Sequence, residues 1–437
     1  MTSRRAQKVT VVPASAQRRT SLRKRMLPLH VAVALQGVML WVPVEKLFMS
    51  EIGFDAASVG LMAAAYAAVV PIIEIPSGIL ADRWSRRGVL VIATTALMLC
   101  SLIGGLSDDV PTYIVSALVL GVYFAMYSGT MDAIVYDTVL EETGGSGSFE
   151  KRIGRVRLVE SVTLVSSSLV GGWLAGLTST RLMYFLTVPF AALSIVAYLR
   201  FAEPRLHKSD ARTSLRSHVA VTYRTITRQG QLLPIVALAV LASLILQVIF
   251  EFGPLWLVAL AASAVLYGPY WAGLVSTLGL GGLLAGRLRF DRPATLAGVI
   301  GLMILASLVL TVSASVLVVT IAQVVLALLV VAASIHVTRL LHDAVPSTIR
   351  SGVASGVGAV SWMAFLPFAL AFGLVSKHIG VHTAGWMITA VTVVAGALLA
   401  KVALGHRPHE VDDDPAAPEP VPAVPGACVS DVAAVAA

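Results

Sequence analysis

Charge is scarce in this chain. Asp, Glu, Lys and Arg together make up 13% of its 437 residues, against about 25% in an ordinary soluble domain. Apolar residues make up 57%, and the mean hydropathy is +0.85. A water-soluble fold cannot wet that much apolar side chain. A soluble enzyme, a fibrous protein and a disordered chain are therefore excluded. Cysteine is nearly absent: Cys100 lies in an apolar run and Cys428 near the C-terminus. The pair suggests no disulfide, and no CxxC or Cys/His spacing offers a metal site. His336, His342 and Asp343 straddle a helix end, lack a fourth ligand and read as loop residues. There is no GxxxxGKS phosphate loop and no Ser-His-Asp or Cys-His set, so neither ATP drive within the chain nor catalysis is expected. No cofactor is expected either. Acidic residues are outnumbered, 24 against 32 Lys and Arg, for a net charge of +8. In so apolar a chain that excess reads as basic loops beside a membrane rather than as a nucleic-acid surface.

What the sequence has in abundance is long apolar runs. A helix needs about 20 mostly apolar residues to cross roughly 30 Å of hydrocarbon. Twelve windows of that kind can be cut, at 27–48, 56–81, 88–106, 111–136, 154–176, 181–200, 232–258, 264–286, 293–312, 315–337, 351–375 and 381–402. Outer-membrane barrels read instead as short alternating segments. The longest polar interruption, Glu203 to Gln231, falls between the sixth and seventh windows. The expected architecture is an all-α membrane protein of twelve transmembrane helices in two six-helix bundles, at 27–202 and 232–403. A basic N-terminal tail (1–26) and an Ala/Pro-rich C-terminal tail (404–437) read as disordered.

Lys and Arg orient the spans. With the N-terminus in the cytoplasm, 29 of the 32 basic residues fall on the cytoplasmic side. Only Lys46, Arg181 and Lys377 fall in outer loops. Both termini are then cytoplasmic and the protein sits in the plasma membrane. The linker 203–231 has an apolar helical face (Leu215, Val219, Ile226) and Arg residues elsewhere. It reads either as a helix resting on the inner leaflet or as a solvated connector. A weak internal repeat joins the halves. Gln36 and Pro43 correspond to Gln247 and Pro254, and GILADR at 78–83 corresponds to GLLAGR at 282–287. Repeats of this kind accompany substrate sites near the midplane of transporters.

The sharpest motif is EIPSGILADRWSRR, Glu74 to Arg87, at the end of span 2. Gly78 allows close helix approach, Asp82 can accept hydrogen bonds from a helix N-terminus, and Arg83, Arg86 and Arg87 can hold carboxylates. The segment resembles the G-x-L-A-D-R-x-G-R-R/K signature of the major facilitator superfamily, with Ser85 in place of the second glycine. SGTMDAIVYD, Ser128 to Asp137, is similar to the end of helix 4 in drug-export-like members. The resemblance covers about residues 27–403. It implies a small-molecule transporter, monomeric as is usual in that family, working by alternating access. It further implies a cytoplasmic latch made by Asp82, the nearby Arg residues and Asp137. Three departures leave coupling and direction open. Ser167-Ser168 replaces the Gly-Pro of the antiporter signature ahead of Gly171-Gly172, Ala117 and Leu118 stand where proton-coupled members often carry Arg, and Gly286 matches Asp82 in the second half.

Ionisable groups inside spans are functional candidates by default. Glu45, Glu74, Asp132, Glu160, Glu251 and His336 fall on spans 1, 2, 4, 5, 7 and 10. None falls on spans 3, 6, 9 or 12, which are peripheral in the resembled family. At about 1.5 Å per residue, Glu74, Asp132 and Glu160 lie towards the cytoplasm and suit gating ion pairs or proton carriage. Glu45 and Glu251 lie towards the outside and suit proton carriage, though Glu45 can equally snorkel beside Lys46. Gln36 and Gln247, near the midplane, are candidate substrate contacts or packing groups. Trp41, Trp256, Trp271 and Trp362 can line an apolar cavity or anchor at the interface. The expected function is export of an amphipathic, drug-like compound with protons as the candidate coupling ion. Metabolite uptake, or a transport-inactive sensor on the same scaffold, are the alternatives.

Overall fold

A computed structural model describes residues 14–143, 149–204, 232–344 and 350–405. The tail before Ala14, the linker 205–231, the tail after residue 405 and the side chains of Asp82, His342 and Asp343 lie outside the described residues. The first half contains α1 (Ala14–Gln36), α2 (Glu45–Glu51), α3 (Ala56–Arg83), α4 (Arg86–Leu106), α5 (Val110–Thr143), α6 (Phe149–Leu177) and α7 (Thr180–Arg200). The second contains α8 (Leu232–Phe252), α9 (Pro254–Ala259), α10 (Ala264–Ala285), α11 (Pro293–Val312), α12 (Val316–Asp343), α13 (Arg350–Ile379) and α14 (Val381–Gly405). There is no strand among the described residues. Short α1–α2 and α8–α9 pairs each make one rod, so twelve rods form two six-helix bundles, as the hydropathy predicts.

Ten of the described helices are long and apolar enough to cross a membrane by themselves. The first rod falls short because α1 is Arg- and Lys-rich and ends at Gln36. The eighth, α10, falls short because glycine, Tyr and Trp dilute its aliphatic residues. Local sequence signals set several helix starts. Asp55 and Ser58 form a reciprocal capping box on α3, Ser85 caps α4 through Gly88 N–H, and Ser179 caps α7 through Leu182 N–H.

Two boundaries depart from the sequence reading. First, α1 begins at Ala14, so residues 14–26 continue the helix instead of belonging to a disordered tail. Hydropathy stops at charges, whereas Ala, Arg, Lys and Met are strong helix formers. Leu22 and Met26 on this extension are fully buried. Second, spans 1 and 7 are broken. Span 1 unwinds after Gln36, makes a single 3₁₀ turn at Val42–Val44 and resumes as α2. Span 7 breaks between Phe252 and Pro254. The breaks sit at Pro43 and Pro254, the positions matched by the internal repeat, since proline removes a backbone donor. Backbone groups freed there find side chains: Leu40 N–H donates to Thr187 Oγ1 (3.1 Å), and Gln323 Nε2 donates to Gly253 O (3.3 Å).

The halves meet through α3 against α13 and through α6 against α10. Each contact is a glycine crossing. A Cβ on Gly60 would stand 2.6 Å from Ala369 O, and one on Gly172 would stand 2.5 Å from Gly268 N. Both crossings lie toward the face opposite the Arg-rich end of α3, hereafter the far face; the other is the basic face. Two ion pairs between described residues cross from one half to the other, Lys377–Asp55 at 2.8 Å and Lys46–Glu251 at 2.5 Å. They too lie toward the far face. The halves are therefore joined at the far face and parted at the basic face.

Candidate functional site

Between the halves lies a cavity of about 480 Å³. Its wall comes from spans 1, 2, 4, 5, 7, 8 and 11, with no residue from spans 3, 6, 9 or 12. Aromatic side chains dominate: Trp41, Tyr66, Tyr123, Phe124, Tyr127, Phe250, Trp271, Trp362 and Phe365. Tyr66 packs edge-on against both Phe124 (6.1 Å) and Trp362 (5.7 Å), joining the halves at mid-depth.

At the closed, far-face end, Glu45 and Glu251 line the cavity. Behind them sits Lys46, whose side chain is 1% exposed. Its ammonium donates to Glu45 (3.1 Å) and to Glu251 (2.5 Å). Tyr113 donates its hydroxyl to the other oxygen of Glu45 (3.1 Å) and pairs with Tyr184 OH (2.7 Å). Lys46 is thus no outer-loop charge. It is the second residue of α2, turned inward by the 3₁₀ turn ahead of it, and its partner Glu251 lies in the other half. Glu45 does not snorkel to water but shares this buried cluster. At the basic-face end, Arg157 and Glu160 line the mouth. Arg157 holds Asp132 (2.7 Å) and Glu160 (3.2 Å), so these ion pairs act within one half. Glu74 is exposed on α3 and is not part of the wall.

The midplane groups divide. Gln36 is 3% exposed and its amide is committed within its own half. It donates to Tyr123 OH (2.6 Å) and accepts from Tyr198 OH (2.7 Å) and Thr94 Oγ1 (3.3 Å). Gln247 lines the opposite wall, donates weakly to Ser243 (3.3 Å) and has no partner for its Oε1 among the described residues. Trp41 stacks on Tyr184 (5.1 Å) and donates to Ser101 (3.2 Å) while presenting a face to the cavity. Trp256 is not brought to the cavity: it is fully buried, donates to Leu310 O (2.8 Å) and packs on Phe372. Trp271 takes its place on the wall, and its indole N–H has no acceptor among the described residues.

The motif residues at the basic face form a separate cluster. Arg86 pairs with Asp137 and donates to Ala133 O (2.9 Å). Arg87 donates to Phe201 O (3.2 Å). Glu203, which sequence reading passed over as the first residue of the linker, accepts from Ser85 Oγ (2.6 Å) and from Arg87 N–H (3.2 Å). Its signal was an acid one turn beyond span 6, facing the first turn of span 3. Arg83 is exposed. Gly78 has open space where a Cβ would stand, because the halves are parted at this face. Of the glycines in α10, Gly281 does pack closely, with Val331 2.5 Å from a Cβ there, while Gly279 meets nothing.

The sequence pattern of the Major Facilitator Superfamily matches residues 26–363. Among curated relatives, Multidrug resistance protein 1 of Bacillus subtilis (strain 168) is 26% identical over 176 residues, 40% of this chain and 44% of that protein. The MFS-type efflux transporter ffsH of Aspergillus flavipes is 28% identical over 132 residues, 30% of this chain and 22% of that protein. The chain thus spans less than half the length of the curated relatives it matches. Among solved structures, the nucleoside transporter NupG superposes with a TM-score of 0.70 at 14% identity, covering 86% of this chain and 98% of that one. The xylose transporter XylE from E. coli, in its inward open conformation, superposes with a TM-score of 0.65 at 13% identity, covering 87% and 96%.

Proposed function

The chain belongs to the Major Facilitator Superfamily, and from that premise we propose that it exports a drug-like, amphipathic cation in exchange for protons. The two bundles rock about the cavity, which opens alternately at the basic and the far face. The basic face is cytoplasmic, so both termini are cytoplasmic, the membrane is the plasma membrane and the transporter works as a monomer. The structure is then the inward-facing state.

One observation carries this reading. The cavity combines broad aromatic walls with two carboxylates at its closed end, and only one ammonium lies against them. Aromatic faces attract a cation and bury its apolar skeleton. A carboxylate with spare charge gives that cation, or a proton, a place to bind. Competition of the two for Glu251 or Glu45 would couple their fluxes in opposite directions. The curated relatives bearing multidrug and efflux names support the direction. At the cytoplasmic face, Asp82, Arg83, Arg86, Arg87 and Asp137 serve as the latch that closes when the far face opens, with Gly78 then admitting the neighbouring helix.

The test is transport in proteoliposomes. A pH gradient, acid on the far-face side, should drive tetraphenylphosphonium or ethidium toward that side. Glu251→Gln should abolish the pH dependence, and Asp82→Asn should slow turnover without loss of insertion. Cation flux indifferent to the gradient would make the protein a facilitator. No flux of any cation in a broad panel would overturn the reading in favour of a sensor.

A further inference from the structure

Lys46 is a fully buried ammonium in the first half, bound to a carboxylate of its own half and one of the other. A buried charge is costly unless it is paired. Here it is paired twice, which leaves the three-residue cluster with one negative charge too many. Arg181, which sits over the Phe48 ring, is paired with Asp108 (2.8 Å) instead. The two carboxylates face the cavity and the ammonium lies behind them. Glu251 is 24% exposed through its side chain, and only one of its oxygens is taken by Lys46. The same wall carries Trp271, 8% exposed, with an N–H that has no acceptor among the described residues, and Gln247 with an unused Oε1. The surface next to Glu251 therefore has polar capacity left for a ligand.

We propose that Lys46 is an internal competitor of the transported cation. Its bridge to Glu251 holds the far face shut. A cation arriving at Glu251 from the cavity shares that carboxylate, weakens the bridge and so favours opening on the far face. The relation is reciprocal: whatever strengthens the bridge weakens cation binding, by the same factor. Lys46 need not touch the cargo to do this. The inference rests on the reading of the cavity as a cation site, and adds how occupancy is transmitted to the far face. Glu45 keeps the ammonium in place when Glu251 is shared, and Tyr113 holds Glu45.

The test uses tetraphenylphosphonium binding to the purified full-length protein, followed by calorimetry. Far-face distances are read between spin labels at Ser50 and Ser263, exposed residues on opposite halves. Lys46→Met should bind the probe roughly tenfold or more tightly, since a unit positive charge beside the site is gone. Its far-face distance should be long even without probe, whereas in the unmutated protein the probe should lengthen it. Should Lys46→Met fail to fold, Glu45→Gln/Lys46→Met keeps the cluster's net charge and decides by the far-face distance, which should be long without probe if the bridge holds that face shut. If removing Lys46 leaves affinity unchanged or lowered while Glu251→Gln abolishes binding, the competitor role is overturned and the cation site stands. If Glu251→Gln binds the probe as well as the unmutated protein does, the cation site and the competitor role both fall.

Discussion

Adding one methyl group at Gly60 should open the far face. A Cβ there would lie 2.6 Å from Ala369 O and 3.0 Å from Gly373 Cα. Both are backbone atoms, so no rotamer change can make room. Carbon contacts settle at about 3.5–4.0 Å, so α3 and α13 must separate by roughly 0.5–1 Å. Overpacking of this kind costs about 1–3 kcal/mol. The cost arises only while the far face is closed, because in the opposite state these rods part. At about 1.4 kcal/mol per tenfold, Gly60→Ala should shift the equilibrium toward the far-open state by roughly 5- to 150-fold. Distance distributions between spin labels at Ser50 and Ser263 read the shift directly. Gly298→Ala is the control, since a Cβ there meets nothing within 4 Å. Gly373→Ala would place its Cβ 2.7 Å from Ala56 O and should behave like Gly60→Ala. A Gly60→Ala distribution that coincides with that of Gly298→Ala would refute the glycine crossing as a far-face closure element.

Three further outcomes follow from the contacts. Gln36→Leu strands the hydroxyls of Tyr123 and Tyr198, while Thr94 keeps its bond to Leu90 O (2.8 Å), and should lower stability by about 1–3 kcal/mol per group left unpaired, seen as a fall in melting temperature in detergent. Asp137→Asn removes the carboxylate that pairs with the Arg86 guanidinium, and should lower the melting temperature in detergent, with partial recovery in Arg86→Gln/Asp137→Asn. Asp55 is held at a pKa of about 2, first by the Lys377 hydrogen bond and then by Ser58 N–H. A depressed carboxylate contributes its full stabilisation above its ordinary pKa of 3.8 and loses it as pH falls through about 2. Both partners are nearly half exposed, so the pair is worth about 0–1 kcal/mol. Lys377→Gln should therefore leave far-face distances nearly unchanged from pH 5 to 8.

Hydropathy made the twelve rods legible because bilayer thickness fixes their length, and most predicted ends fall within a few residues of the observed helices. The internal repeat paired Pro43 with Pro254 but did not show that the spans break there; Pro43 is the second residue of the 3₁₀ turn and Pro254 opens the short helix after the gap. The helices with in-span acids, spans 1, 2, 4, 5 and 7, all contribute to the cavity wall, but spans 8 and 11 line it without one, and span 10, which carries His336, does not line it. What escaped was rotation and depth. One Lys at the end of an apolar run looks like a loop anchor, and only its neighbour 205 residues away shows that it is buried. Trp256 and Trp271 are alike in sequence context, and helix rotation alone puts one in the core and the other on the wall. Gln36 reads as a ligand contact until three hydrogen bonds from its own half use it up. Glu203 was invisible because its partners are the backbone and a hydroxyl of a distant helix start.

The two halves share a topology but differ in how their basic-face ends are tied together among the described residues. At the basic face of the first half, Arg25 ties α1 to Glu141 (3.2 Å) and Glu142 (2.8 Å) on α5 and to Ala202 O (3.2 Å) beyond α7. Arg86 ties α4 to α5, and Glu203 ties the end of α7 to the start of α4. Four helix ends are thereby laced into one unit. The matching loop of the second half carries Arg287, Arg289 and Arg292, none of which makes an ion pair with another described residue. There Phe290 stacks on His336 at 4.7 Å. When the bundles rock, the first half should therefore move as a body while the second yields at its basic-face loops. Amide hydrogen exchange tests this: protection over 86–90 should exceed that over 287–296, and Arg86→Gln should reduce the difference. Equal exchange in both segments would mean that the charge lacing contributes nothing to rigidity.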